Sequence, residues 1–179
     1  MEYDIISAVN LDGIIGLDND LVYKISKDMK YFKDITSKTK DCHKKNAVVM
    51  GRKTWDSIPD KYKPLSNRVN CVITNKNTKI HSDVIQSNNF QQLIKSLSEN
   101  KNIETIFIIG GSSIYNMAFQ LNKQRHLYIT KINHSLLDNE KCVNPKYFPH
   151  INLSNYSIVY DKNHIENNLS FNFIKYVKL

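Results

Sequence analysis

Apolar residues follow two rhythms along the chain. The segments YDIISAV (residues 3–9), NAVVMG (46–51), RVNCVIT (68–74), ETIFIIG (104–110), HLYITKI (126–132), YSIVYD (156–161) and LSFNFIKYV (169–177) are short and rich in β-branched and aromatic residues. Each alternates or runs continuously apolar, and so predicts a strand. Between them, residues 28–35, 53–58, 90–97 and 112–121 carry the wider spacing of an amphipathic helix. Strands separated by single helices predict a mainly parallel sheet covered on both faces. The last two strands follow one another without a helix and predict an antiparallel edge. Together these elements make a three-layer α/β sandwich, one domain over residues 1–179. Asparagine- and lysine-rich stretches at 75–79 and 163–168 read as surface loops, and residues 133–150 show no legible period.

Composition narrows the class. With 41% hydrophobic residues in a chain of 179, there is enough material for one sizeable core, which excludes disordered and fibrous classes. The start lacks the basic flank and long apolar run of a signal peptide, and no run reaches membrane-spanning length, so a cytoplasmic protein without membrane contact is expected. Cys42, Cys71 and Cys142 are odd in number and widely spaced. They neither staple a secreted fold nor carry the paired spacing of a zinc site, and are expected as reduced structural thiols with no metal. A net charge of +8 fits nucleic acid, small anions or a lysine-rich surface. The only arginines are Arg52, Arg68 and Arg125, and the lysines are scattered rather than gathered in a stripe, which speaks against nucleic acid.

Candidate chemistry gathers where strands end. In IFIIGGSSIY (106–115), Gly110-Gly111 closes an apolar strand and Ser112-Ser113 are placed to cap the next helix. Backbone N–H groups and the helix dipole would then face the space above the sheet edge. Phosphate binding and a plain tight turn both use such a glycine pair. MGRKTWDSIP (50–59) repeats the arrangement with Gly51, the cations Arg52 and Lys53, and Thr54 at a helix start. KPLSNRVNCVIT (63–74) sets Arg68 ahead of a strand and Thr74 at its end. GIIGLDNDLVYKISKDMKYFK (13–33) runs a long loop into Asp28, which opens an amphipathic helix and alone would be a first-turn acid suited to the helix dipole. Taken in this order and at these spacings, the four stretches resemble the dihydrofolate reductase family, over residues 3–177.

The resemblance implies a central eight-stranded, mostly parallel sheet with an antiparallel C-terminal strand and helices on both faces. It implies NADPH-dependent reduction of 7,8-dihydrofolate to tetrahydrofolate, in support of one-carbon metabolism and thymidylate synthesis. In that family a hydride passes from the nicotinamide to C6 of the pterin, and a proton reaches N5 through water. A carboxylate at the position of Asp28 holds the N3 and 2-amino edge of the pterin by two ionic hydrogen bonds, and Thr130 matches the threonine that bonds this carboxylate. With Tyr23 they form the implied catalytic set. Ile6, Ala8, Leu21, Met29, Phe32, Ile58 and Leu65 are implied around the pterin and aminobenzoyl groups, positions that plain core packing would also fill, while Ile109 is implied to offer its backbone carbonyl to the pterin amino group and Tyr115 to lie near the nicotinamide. Arg68 is implied as the partner of the substrate's glutamate α-carboxylate, where a planar guanidinium offers two parallel donors. For NADPH the resemblance implies Ala8, Ile15, Gly16, Gly51, Arg52, Lys53, Thr54, Thr74, Asn75, Lys76, Gly110, Gly111, Ser112, Ser113 and Ile114. Within that set Arg52 and Thr74 would reach the 2′-phosphate, and Gly110-Gly111 would be the family's cis Gly-Gly peptide, a bond that glycine on both sides crowds least. The implied partners are dihydrofolate, antifolates and, by fusion or association, a thymidylate synthase.

Three stretches depart from the family pattern. Asn75 stands where relatives often carry arginine, with Lys76 beside it to compensate. Val22-Tyr23 replaces Pro-Trp, which keeps an aromatic face, moves the donor, and frees a backbone angle in a loop that covers the site. Reduced turnover is expected from that change. Pro145-Lys146-Tyr147-Phe148-Pro149 stands where an acidic-threonine dipeptide usually precedes Phe-Phe-Pro. Two other readings stay open: the related reductase of riboflavin biosynthesis, which lacks the combination of Asp28, Arg68 and Thr130, and a non-catalytic binding protein that kept the fold.

Overall fold

The structure, a computed structural model, describes residues 2–18, 20–136 and 144–179. In chain order the elements are β1 (Tyr3–Asn10), β2 (Ile14–Gly16), α1 (Ser26–Ser37), β3 (Lys45–Gly51), α2 (Arg52–Ser57), β4 (Arg68–Ile73), β5 (Val84–Ser87), α3 (Phe90–Glu99), β6 (Ile103–Gly110), α4 (Ser112–Leu121), β7 (Gln124–Ile132), β8 (Lys146–Tyr147), β9 (Tyr156–Glu166) and β10 (Leu169–Lys178). Eight strands form one sheet in the order β5-β4-β3-β6-β1-β7-β10-β9, and β2 and β8 form a second, two-stranded sheet. The first six strands of the large sheet are mutually parallel. β10 runs antiparallel to both β7 and β9.

Strand periodicity divides the core into layers, because successive side chains point to opposite faces. Tyr3 and Ile5 of β1 and Ala47 and Val49 of β3 pack with Leu93, Ile94 and Leu97 of α3 and with Ile114 and Ala118 of α4. Their neighbours Ile6, Val48 and Met50 face the other way, onto Trp55 of α2 and Phe32 and Ile35 of α1. This double burial makes the parallel strands continuous apolar runs rather than alternating ones.

The structure corrects several expectations drawn from the sequence. The strand VIQS at β5 carries one buried residue, Val84, and lies at a sheet edge, so its pattern is too short to read. Residues 163–166 are not loop but the end of β9. That strand forms the opposite edge and is solvated along most of its length, which removes the apolar alternation. Its tie to β10 is partly polar, with Asn163 Nδ2 donating to Asn172 Oδ1 at 3.0 Å. Asn167 and Asn168, both at positive φ (52° and 61°), make the two-residue turn between β9 and β10.

Ser112 and Ser113 do not cap α4; the N-cap is Gly111, with no side-chain cap bond, and Ser112 already lies inside the first helical turn where its hydroxyl cannot serve that role. Likewise Asp28 is the third residue of α1 and Thr54 the third of α2, each within the first turn rather than at its start. Of the cysteines, Cys71 is a buried core thiol and Cys42 is exposed, so Cys42 is not structural in the sense expected; Cys142 lies outside the described residues. Among the described residues no helix is long and apolar enough to cross a membrane, and no group of three or more His, Cys, Asp or Glu could hold a metal ion.

Candidate active site

All six parallel strands point their C-terminal ends the same way, the end where open α/β sheets place ligands; Gly51, Gly110, Thr74 and Thr130 gather toward it, whereas Arg68 is the first residue of β4, at the opposite end of its strand. Thr130, 2% exposed on β7, lies in register with Ala8 of β1 and Phe173 of β10. Its Oγ1 donates to Asp28 Oδ1 of α1 at 2.5 Å across 102 residues of sequence. Asp28 is partly buried and makes no ion pair among the described residues. Burial pushes its carboxyl above the ordinary range, the Thr130 bond pulls it back, and the charge of Glu166 pushes it further up.

Phe32, Ile58, Leu65 and Ile109 pack partly buried on the cluster that contains Ile6, and Ala8 and Tyr23 pack on another cluster, that of Ile25, Ile132, Phe171 and Phe173. Tyr115 is fully enclosed and donates from its hydroxyl to the Ile6 carbonyl at 2.7 Å. Burial raises that phenol's pKa, Ser7 lowers it, and the Asp28 charge raises it, which places Tyr115 within reach of Asp28's field. Met29, beside Asp28, and Leu21 are half exposed (48% and 50%), apolar surface left open to solvent.

Arg68 is not the surface residue its type would favour, being 9% exposed. Its Nη1 donates to Thr36 Oγ1 at 2.8 Å, its Nε to the Ser66 carbonyl at 2.9 Å, and its guanidinium lies 5.8 Å from the Phe32 ring. It has no acidic partner among the described residues, and burial lowers its pKa. A desolvated cation held by neutral groups is suited to an anion from outside the chain.

Two strand-to-helix junctions lie side by side on β3 and β6, with Gly51 as N-cap of α2 and Gly111 as N-cap of α4. The Gly110-Gly111 peptide is cis, as expected. Gly110 has φ +106, and a Cβ there would fall 3.0 Å from the Tyr115 ring. Gly51 is nearly as tight, its Cβ position 3.1 Å from Ile114 Cγ1, and that of Gly111 is 3.4 Å from Thr54 Oγ1. Glycine therefore lets the two turns approach each other. Ser112 Oγ is buried without a hydrogen-bond partner among the described residues, an orphan that a ligand oxygen would satisfy. Lys53 and Ser113 are exposed, as are Asn75 and Lys76. Arg52 Nε donates to both oxygens of Asp56 at 2.8 and 2.9 Å, so its charge is already oriented. Thr74 Oγ1 accepts from the Lys76 N–H at 3.1 Å, which shapes the loop after β4.

The segment holding Ile15 and Gly16 follows β1, with Ile15 packed on the cluster that contains Ile114 and Tyr115. β2 pairs Ile14 with Tyr147 and Gly16 with Lys146 of β8, and the Phe148 N–H donates to the Gly13 carbonyl at 2.9 Å. The altered run 145–149 therefore still clasps the loop. Phe148 also stacks edge-on against Tyr115 at 5.0 Å. A second clasp, absent from any sequence signal, is Asp12, whose carboxylate accepts from Ser135 Oγ at 2.8 Å and the Leu136 N–H at 2.7 Å. Tyr23 points its hydroxyl to His134 Nδ1 at 2.7 Å, with the rings edge-to-face at 5.6 Å. Neither His134 nor Asp12 could be found from the sequence, since each contact joins segments more than 100 residues apart.

A family model described as dihydrofolate reductase matches residues 2–178. The chain is similar to dihydrofolate reductase of Heliothis virescens, 35% identical over 174 residues that cover 92% of this chain and 91% of that protein. It is similar to dihydrofolate reductase of Saccharomyces cerevisiae at 42% identity over 126 residues, covering 66% of this chain and 59% of the yeast protein. The bifunctional dihydrofolate reductase-thymidylate synthase of Glycine max is 32% identical over 184 residues, 99% of this chain but 34% of that protein.

Proposed function

The chain belongs to the dihydrofolate reductase family, and from that premise we propose that it reduces 7,8-dihydrofolate to tetrahydrofolate with NADPH, using Asp28 as the anchor for the pterin. The observation that carries this reading is the Asp28–Thr130 pair: a partly buried carboxylate, fixed through one oxygen, with no cationic partner among the described residues, one helical turn before the partly buried Phe32. Such a group binds a protonated aminoheterocycle through two ionic hydrogen bonds. Because burial raises its pKa and a bound cation lowers it, substrate binding is linked to release of a proton from Asp28 wherever the free carboxyl is protonated. Thr130 fixes the carboxylate's rotamer, Tyr115 ties α4 to β1 through the Ile6 carbonyl, and Arg68 pairs with the glutamate tail.

The two glycine junctions, the orphan Ser112 hydroxyl and the cations Arg52 and Lys53 fit a pyridine dinucleotide, with Arg52 and Thr74 toward its 2′-phosphate and Lys76 beside them. When bound, NADPH supplies the hydride. Ala8, Ile15 and Ile114 give that space apolar walls, and the β2–β8 clasp holds the loop that excludes water. Antifolates carrying a protonated aminoheterocycle would use the same carboxylate. Residues 1–179 act as one catalytic domain in the cytoplasm, with thymidylate synthase, present in the same polypeptide in the soybean relative, as its metabolic partner.

Trp55 is the single tryptophan and is buried in α2 next to Thr54. NADPH should quench its emission and saturate at a lower concentration than NADH. Equal affinities would remove the 2′-phosphate role of Arg52 and Thr74, and no quenching by either would contradict the cofactor placement. At the departure Val22-Tyr23, Tyr23→Trp should raise steady-state turnover about 2- to 10-fold, the worth of one well-placed hydrogen bond. An unchanged rate would take position 23 out of the catalytic set.

A further inference from the structure

Helix α1 carries Asp28, yet its own sequence supplies no N-terminal cap: the N-cap residue is Ile25, and no side chain of the helix closes its first turn. The missing acceptor comes from the far end of the chain. Glu166, the last residue of β9, accepts the Ser26 N–H on Oε1 at 2.7 Å and the Lys27 N–H on Oε2 at 3.0 Å, across 140 and 139 residues. Lys27 closes the contact from the other side, its Nζ donating to the Ile165 carbonyl at 2.9 Å. The carboxylate is aimed by a short, defined turn, Asn167-Asn168, and by the pairing of Glu166 with Leu169. An anion at this position also complements the helix dipole. The two amides it binds lie one and two residues before Asp28.

We propose that Glu166 is a positioning residue for dihydrofolate reduction: its two hydrogen bonds to the first turn of α1 set the direction in which Asp28 meets Thr130 and the substrate. The proposal rests on the reading of Asp28 as the substrate anchor. Glu166 satisfies the helix end, so Asp28, on the same first turn, is left for Thr130 and the ligand rather than folding back on its own helix. The two N–H bonds hold the Glu166 carboxyl below its usual range, so it stays ionised while Asp28, pushed the other way, titrates. The groups facing the contact are Lys27 on α1, Lys24 ahead of it, and Lys162 and His164 on β9; burial, Lys162 and Lys27 lower the pKa of His164.

The test is steady-state kinetics with dihydrofolate across pH for Glu166→Ala and Glu166→Gln, with Asp28→Asn and thermal melting alongside. Glu166→Ala is expected to raise KM roughly 3- to 10-fold with kcat nearly kept, in line with loss of a helix cap. Glu166→Gln, which keeps an acceptor oxygen, should recover part of that KM. In both variants the acidic limb of kcat/KM should move to lower pH, because the charge that raises the Asp28 pKa is gone. A lowered melting temperature with KM and acidic limb unchanged would make Glu166 a structural cap only and overturn the proposal, while a collapsed Asp28→Asn in the same experiment leaves the Asp28 reading standing. An active Asp28→Asn would instead overturn the reading itself, and the proposal with it.

Discussion

Asp28→Asn should lose two to three orders of magnitude in kcat/KM for dihydrofolate while melting no lower than the parent protein. Removing one member of a desolvated, hydrogen-bonded charge pair costs about 2–5 kcal/mol, which is roughly 30- to several-thousand-fold. The asparagine keeps the shape and can still accept from Thr130, so the loss isolates the charge that would face the pterin. Stability moves the other way. Burial raises the Asp28 pKa above its ordinary 3.8, so between those two values the folded protein binds a proton that the unfolded chain has released. Folding stability therefore falls as pH rises through that window, and above it the ionised carboxylate is a net cost that asparagine removes. The melting temperature of Asp28→Asn at pH 7 should equal or exceed that of the parent, and the difference should shrink as the pH falls toward 3.8. A variant that melts lower and retains activity would show Asp28 to be a structural acid.

The second large effect is expected at Arg68. Arg68→Leu should raise KM for dihydrofolate roughly 10- to 150-fold, the worth of hydrogen bonds to a charged group at about 1.5–3 kcal/mol, with kcat nearly unchanged. The tail lies away from the reacting atoms, and binding that is equal in ground and transition states appears in KM alone. Leucine fits an apolar surround that includes Phe32; Thr36 Oγ1 still donates to the Phe32 carbonyl at 2.7 Å, and the Ser66 carbonyl that loses the Arg68 Nε donor belongs to an exposed residue open to water. Folding should be unharmed, because a well-packed apolar side chain removes the desolvation cost of a buried charge. A folate analogue without the glutamate tail separates the cases: parent and variant should then share one KM. If the variant weakens both substrates equally, Arg68 holds its own surroundings, Thr36 and Phe32, in place rather than the tail.

How far the sequence reveals these features follows from the range of the forces involved. The parallel strands are legible because burial on both faces writes continuous apolar runs, and α4 is found over residues 112–121 because its inward face repeats at helical spacing. Gly51 and Gly110-Gly111 are legible because the need for a close backbone approach is local and only glycine meets it. β5 and the outer half of β9 are not, since edge strands have too little buried surface to mark. The small β2–β8 sheet escapes for a different reason: two or three residues of pairing carry no period. Asp28, Thr130 and Arg68 can be named from motif order, but that Thr130 reaches Asp28, or that Thr36 braces Arg68, is decided by folding across 102 and 32 residues. Glu166 and His134 sit in polar surroundings like many other residues, and only the third dimension brings them to α1 and Tyr23.

The most direct measurement follows the absorbance of NADPH in the presence of purified protein, with and without 7,8-dihydrofolate. Oxidation is expected to require dihydrofolate, to proceed faster with NADPH than with NADH, and to yield tetrahydrofolate in equal amount. Tight NADPH binding with no dihydrofolate-dependent oxidation would contradict it, and would mark the chain as a family member that binds the cofactor without turning over.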